Sequence, residues 1–465
     1  MDARAWLRIF IALVVGAAAA WLTSLASTDW YFQLLAALLA GSIVFALLDV
    51  AQTGNGASWR WAAGVVAGAA VSLLALAITQ TQYPAVLAGV VAGMVGFAAV
   101  DRSMTGSWIS TRVTVAFVVF LISAYIGLVA FGQFGSGVDP GSFFNSASAD
   151  SFALILSVAM LIAGVVYFGL EYLQTGRVAS IASQFGLRTI VLMPVGIAIN
   201  IVLGATVANA IKLPIYLDSI GTILVGVLAG PIPGALTGFL SNILWTYVPP
   251  PFQYGPAAAF AVVATVIGLL AGLFGRVGAL RPRPDRPASQ LLAAGAVALL
   301  VVGAMVAYAY TRFYAGPDPI PLFNPDNTDP LFIVLGWVIV ALVALAAIGF
   351  LALLLVRRDL TVPAVALAGV VTGTVAALMS APIAANVFGG VTGSGVDLVV
   401  AAFRQAGSDI QTATLQQGLL VDPFDKMLSY FVVYLILQAM ATRFKARFPQ
   451  GERLVPEPVL EEARA

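Results

Sequence analysis

Asp218 and Thr222 stand one helical turn apart and precede Asn242 within Leu213 to Leu244, a stretch that is otherwise almost wholly apolar. A carboxylate, a hydroxyl and an amide at helical spacing can converge on one cavity and hydrogen-bond a small solute. Asp218 would also cap a helix N-terminus, which explains it as well as ligand contact does. Asn242, an amide in a short apolar segment, must find a partner on a neighbouring helix or on a ligand. Trp245, Tyr247, Phe252 and Tyr254 surround three consecutive prolines at 249–251. Such aromatics form an interfacial belt and can also stack on a planar ring. A second set, Asn386, Phe388 and Thr392, lies beside the glycines at 389, 390, 393 and 395. There Pro382 and those glycines are expected to break a helix begun near 361 and to leave an outward-facing loop over the cavity.

These residue types recognise a solute; none forms a catalytic set. The chain has no Cys and no His, which removes thiol nucleophiles, His general bases, disulfides and Cys/His metal sites. The only lysines, Lys212, Lys426 and Lys445, follow Ile211, Asp425 and Phe444, so no Gly-Lys-Ser/Thr phosphate loop exists. Asp318, Asp326 and Asp329 read as a solvated outer loop rather than an oxygen-ligand metal site. Asp422, Asp425 and Lys426 read as a cap and an interface anchor for the last span, and the segment 397–420 as an interfacial helix. Asp49, Asp101 and Glu171 fall at helix ends, leaving no evident proton relay inside the membrane. No enzyme activity, bound cofactor or bound metal is expected of this chain.

The elements that position these residues are membrane helices. With 61% hydrophobic residues, 9% charged residues and a mean hydropathy of +0.99 over 465 residues, the chain has too little polar surface to cover a soluble globule. The expected fold is all-α, a polytopic helical bundle. Spanning-length runs fall at 8–27, 30–49, 61–79, 83–100, 113–133, 151–172, 189–210, 256–275, 288–311, 331–356, 361–382 and 426–442. Two shorter segments, 216–230 and 233–248, flank the turn Gly230-Pro231-Ile232-Pro233-Gly234. At about 15 residues each they rise only about 22 Å against a hydrocarbon core of about 30 Å. The total is about 14 spans, or 12 plus a re-entrant hairpin. Short, interrupted helices mark where a membrane protein handles its ligand.

Threading the N-terminus inside puts 18 of the 22 basic residues on the cytoplasmic face and leaves Lys212, Arg312, Arg404 and Lys426 outside. The positive-inside bias therefore gives both termini to the cytoplasm. Arg4 and Arg8 precede an apolar run too long for a usual signal peptide, so an uncleaved first helix is expected. Net charge of +1 gives no field for nucleic acid. Four regions follow: a six-helix membrane block over 1–175, a cytoplasmic linker over 176–188, a substrate-binding membrane domain over 189–443, and a cytoplasmic tail over 444–465.

Val195 through Leu244, with Asn200 and Gly204, then Pro214-Ile215-Tyr216-Leu217-Asp218-Ser219-Ile220-Gly221-Thr222, Gly230-Pro231, Gly234-Ala235, Gly238 and Asn242, resembles the substrate-binding S component of energy-coupling factor (ECF) transporters. The run Ser380 to Gly395 with Asp422 to Lys426 is similar to the C-terminal half of larger members. The resemblance implies a membrane subunit at the cell (plasma) membrane that captures a vitamin or related metabolite from outside. It also implies a membrane coupling subunit and two ATPase subunits as partners, ATP being hydrolysed by those chains. Gly196, Asn200, Gly204 and Ala208 recur every four residues and make the candidate docking face for the coupling subunit, or else an internal packing face. An ion-coupled secondary transporter of a small solute is the alternative, with sodium held by carbonyls and Asn200, Asn242 or Asn386. The extra N-terminal block has no counterpart in small S components.

Overall fold

Backbone groups in hydrocarbon must hydrogen-bond within their own segment, so the apolar runs of this chain form helices. The computed structural model describes residues 3–27, 30–54, 56–80, 82–130, 149–211, 213, 215–283, 291–292, 294–297, 303, 359–405 and 407–455. The expected spans at 331–356 and over most of 288–311, the acids Asp318, Asp326 and Asp329, Lys212, Pro214, and 456–465 lie outside them. Among the described residues, nine segments are long and apolar enough to cross a membrane. The protein is an all-helical, multi-pass membrane bundle.

The chain divides into two units, the first made of Met1–Ser123, Ala159–Val178 and Ala288–Val297, and the second of the remainder. The first holds α1 (Ala3–Ser24), α2 (Trp30–Thr53), α3 (Trp59–Thr79), α4 (Gln82–Thr105), the Arg112-bearing part of α5 (Ile109–Ala130) and the Glu171-bearing part of α6 (Ala149–Thr175). α1 with α2 and α3 with α4 form helical hairpins, and α5 with α6 carries the same charged pattern. Arg8, Arg60 and Arg112 recur every 52 residues, as do Asp49 and Asp101. Arg8 Nη1 meets Asp49 Oδ1 at 2.8 Å, Arg60 pairs with Asp101, and Arg112 Nη1 lies 3.5 Å from Glu171. Each acid is followed four residues later by a threonine, Thr53, Thr105 or Thr175, whose hydroxyl donates to the acid's carbonyl. A glycine then ends each pair in the left-handed region, at φ +67°, +68° and +69° for Gly54, Gly106 and Gly176.

The two hairpins also cross at equivalent points. A Cβ on Gly16 would come within 2.9 Å of Ala37 O, and one on Gly68 within 2.8 Å of Gly89 O, again 52 residues on. Small residues let backbones approach where no hydrophobic force joins helices in lipid.

The second unit carries the short hairpin. Its helices are α7 (Ala179–Ala182), α8 (Leu187–Gly204), α9 (Ile220–Ala229), α10 (Pro231–Tyr247), α11 (Ala261–Arg276), α12 (Thr361–Phe388), α13 (Asp397–Gln405), α14 (Ile410–Ala439) and α15 (Thr442–Lys445). α9 has 10 residues, all buried, and rises only about 15 Å, half the hydrocarbon thickness. Gly230 makes the turn at φ +126° and Pro231 starts α10, where its missing N–H costs nothing. Gln184 Oε1 accepts the Ile232 N–H at 3.1 Å and closes that turn.

Three expectations are corrected here. α12 runs unbroken through Pro382 to Phe388 and stops only at Gly389, whose φ of +58° makes a left-handed cap. One proline removes a single backbone bond, and the close packing of α12 on α14 holds the rest. The segment 397–420 is not one interfacial helix: α13 ends at Gln405, and Asp409 accepts the N–H groups of Gln411 and Thr412 to start α14. Asp422, Asp425 and Lys426 therefore lie inside a 30-residue helix rather than at the start of a span from 426.

Where α12 meets α14 the backbones touch. A Cβ on Gly373 would fall 2.4 Å from Asp422 O, and one on Gly369 2.3 Å from Met427 Cα. At the opposite end from α9's N-terminus, Gln450 N–H donates to Leu228 O at 2.9 Å, and Lys445 Nζ donates to Leu437 O at 2.8 Å. Residues 442–455 thereby pack onto the second unit.

Candidate functional site

Three polar side chains knit α8, α9 and α10 together below a cavity. Asn200, 1% exposed, donates from Nδ2 to Thr222 Oγ1 at 2.8 Å and to Ser241 Oγ at 2.9 Å. Its Oδ1 accepts the Gly221 N–H at 2.7 Å. Three helices thus share one amide with both donors and its carbonyl used.

Gly196 and Gly204 face the same way as Asn200. A Cβ on Gly196 would meet Gly221 O at 3.0 Å, and one on Gly204 would strike the Trp245 ring. Ala208 is buried and its carbonyl accepts the Gly395 N–H at 3.0 Å. The four-residue stripe expected to dock a coupling subunit is covered by the chain's own α9, α10 and 391–396 loop. The side of α8 turned outward carries Val191, Val195 and Val202 instead.

Above this knot lies a cavity of about 70 Å³, lined by residues of α9, α10, α11, α12 and α14 together with Tyr216, Asp218 and Tyr254. It holds the volume of roughly two waters. Asp218, Thr222, Asn242, Trp245 and Tyr254 all line it. Trp245 is fixed by Nε1 donating to Phe252 O at 2.8 Å and by Tyr254, whose ring centre lies 5.0 Å away. Asn242 is buried, yet among the described residues its amide has no hydrogen-bond partner; the hydroxyl of Ser219, also buried at the wall, has none either. Burial of an unsatisfied polar group such as the Ser219 hydroxyl is costly unless something at the cavity completes it.

Other predicted residues are placed differently. Tyr247 is 70% exposed and outside the cavity wall, so it belongs to the surface. Asn386 is used structurally: Gln411 Nε2 donates to its Oδ1 at 2.5 Å, and its Nδ2 donates to Pro382 O at 2.7 Å. Phe388 stacks on Phe260 at 5.7 Å, and Phe260 in turn lines the cavity. Thr392 lies in a loop tied by the Asp397 carboxylate, which accepts the N–H groups of Thr392 and Gly393. The hydroxyls of Thr392 and Ser394 reach the Tyr254 phenol, so this loop backs the cavity without entering it. Burial, aided by nearby carboxylates, pushes the phenols of Tyr216 and Tyr254 above their ordinary range and keeps both neutral.

The residues that sequence reasoning set aside matter most electrostatically. Lys426 Nζ bridges Asp425 Oδ2 at 2.5 Å and Asp218 Oδ1 at 3.2 Å. Asp425 Oδ1 also accepts the N–H groups of Tyr216 and Leu217, at 3.1 and 2.7 Å. Asp422 lines the cavity with Ser380 Oγ donating to its Oδ2 at 3.3 Å. Their spacing was a usable signal: three ionisable groups within five residues of an apolar run require buried partners.

Residues 188–357 match the family model of the ECF transporter, substrate-specific component. That segment, a little over a third of the chain, is similar to ECF substrate-specific components. No curated protein and no solved structure matches the chain. The family that the segment is similar to consists of substrate-binding transport subunits, not enzymes. The matched segment supplies α8 to α11, whereas α12 and α14, with Ser380, Asp422 and Lys426, lie beyond it. Of the charged residues at the cavity wall, Asp218 lies inside the matched segment and Asp422 and Lys426 outside it.

Proposed function

We propose that this chain captures a vitamin or related small metabolite from outside the cell for an ECF-type ABC importer. The observation that carries the reading is the cavity at the short α9–α10 hairpin, where the Asn242 amide and the Ser219 hydroxyl lack protein partners. Without a phosphate-binding loop of its own, the chain relies on two ATPase subunits joined through a membrane coupling subunit. The excess of basic residues in one set of loops supports cytoplasmic termini and a cavity mouth turned outward at the cell membrane. At about 70 Å³ the cavity is smaller than a vitamin, so uptake of substrate requires the 391–396 loop or the Tyr216–Ser219 segment to open.

Co-expression and purification test the partnership: the tagged chain is expected to bring down a coupling subunit and an ATPase pair, and uptake in proteoliposomes is expected to require internal ATP. The Asp422–Lys426 cluster is a specific observation in favour of ion-coupled secondary transport. Gradient-driven uptake by the chain alone, without ATP, would decide for that second reading.

A further inference from the structure

The cavity wall holds more negative than positive charge. Asp218, Asp422 and Asp425 face a single cation, Lys426, and the hydrogen bonds divide these groups unequally. Lys426 is engaged by Asp425 and Asp218. Asp425, with no exposed surface, has both oxygens occupied by Lys426 and by the backbone of Tyr216 and Leu217. Asp422 is left with the one 3.3 Å bond from Ser380, itself a neutral donor.

A carboxylate this buried keeps its charge only beside a counter-charge and otherwise holds a proton, because an ion in a low-dielectric interior is stabilised only by a paired and hydrogen-bonded partner. Asp422 is 5% exposed and borders the cavity. The rest of that wall fits an organic cation: the faces of Trp245, Tyr254 and Phe260 can hold an ammonium by its attraction to π electrons, and Ser219 Oγ and Asn242 Oδ1 can accept its N–H groups. A bare metal ion fits less well, since no set of three carboxylate, His or Cys side chains is placed to ligate one among the described residues.

Resting on the reading of this cavity as the substrate site, we propose that the substrate is a small organic cation, carrying an ammonium or a positively charged ring nitrogen, and that Asp422 is its counter-ion. Lys426 then serves as an internal partner shared by Asp218 and Asp425 and leaves Asp422 to the ligand.

The test is equilibrium dialysis of the full-length chain in detergent against a defined mixture of water-soluble vitamins, nucleosides, polyamines and amino acids, with depletion of each compound read by mass spectrometry. Compounds captured are expected to be positively charged at pH 7. Asp422→Asn, which keeps the shape, is expected to weaken capture about ten- to a hundredfold, the range of a lost charged hydrogen bond. Asp422→Glu is expected to restore most of it, and both variants are checked for a wild-type gel-filtration profile and helical spectrum. Capture only of neutral or anionic compounds, unchanged in Asp422→Asn but lost in Asn242→Ala, would overturn the charge assignment and leave the cavity reading intact. Capture unchanged in both variants would overturn the cavity reading itself. A folded wild-type chain that takes up no cation from the mixture also overturns the proposal.

Discussion

The carboxylate of Asp425 accepts the N–H of Leu217 at 2.7 Å and fixes that residue at φ +51°, a left-handed conformation that leucine rarely adopts. The middle of α14 thereby holds the start of the short hairpin in place.

Removing that carboxylate leaves two N–H groups without their acceptor and the Lys426 ammonium with Asp218 alone. Asp425→Ala is expected to destabilise the second unit by about 3–5 kcal/mol, the usual cost of breaking a buried ion pair from one side. Thermal unfolding of the purified protein in detergent measures this. A melting temperature equal to that of the wild type would show that the clamp contributes nothing.

Gly196 separates the two readings of the small-residue stripe. Gly196→Leu places atoms against Gly221 O and the Val225 and Thr237 side chains, so the isolated chain is expected to lose stability by about 1–3 kcal/mol or more before any partner is added. A variant that folds normally yet no longer co-purifies with a coupling subunit would return the stripe to the role of a docking face.

Asn200 and Asn242 are expected to behave oppositely. Asn200→Leu strips hydrogen bonds from Thr222, Ser241 and Gly221 and should cost about 2 kcal/mol or more of stability. Asn242→Ala removes an amide with no protein partner, so it should leave the melting temperature nearly unchanged while weakening substrate binding about tenfold. Parallel melting and binding curves of the two variants check this. A large loss of stability in Asn242→Ala would show that its amide has a structural partner.

In the N-terminal hairpins, Arg60→Met leaves Asp101 with only the hydroxyl of Ser110, which donates to its Oδ2 at 2.7 Å. That single change is expected to cost more than the double change with Asp101→Leu, because an unpaired acid is worse than an apolar pair. A double-mutant cycle with no coupling energy would mean that the ion pair is an exposed contact of little worth.

The membrane class and the short hairpin were legible because apolar run length and a Gly-Pro-rich turn are local signals. Asp218, Thr222, Asn242, Trp245 and Tyr254 were readable as cavity residues from their crowding around that turn. The role of Asp422, Asp425 and Lys426 was not, because they were read as the cap and anchor of a span from 426, whereas α14 runs unbroken through them against the touching backbones at Gly369 and Gly373. For Asn200 the sequence left docking and internal packing both open, for a related reason. A small-residue face looks the same whether it meets a partner or the chain's own helices, and only the contacts of Gly196 and Gly204 distinguish them. The hairpin repeat was in plain sight as three arginines spaced alike, but hydrophobicity alone does not reveal a period carried by single charged residues.

That recurring Arg-to-acid module has an architectural outcome. Each copy goes across the bilayer and comes back, so adding or deleting one leaves everything downstream facing the way it did before. The front of the molecule can therefore grow or shrink in steps of two crossings over evolution without turning the solute-capturing part upside down.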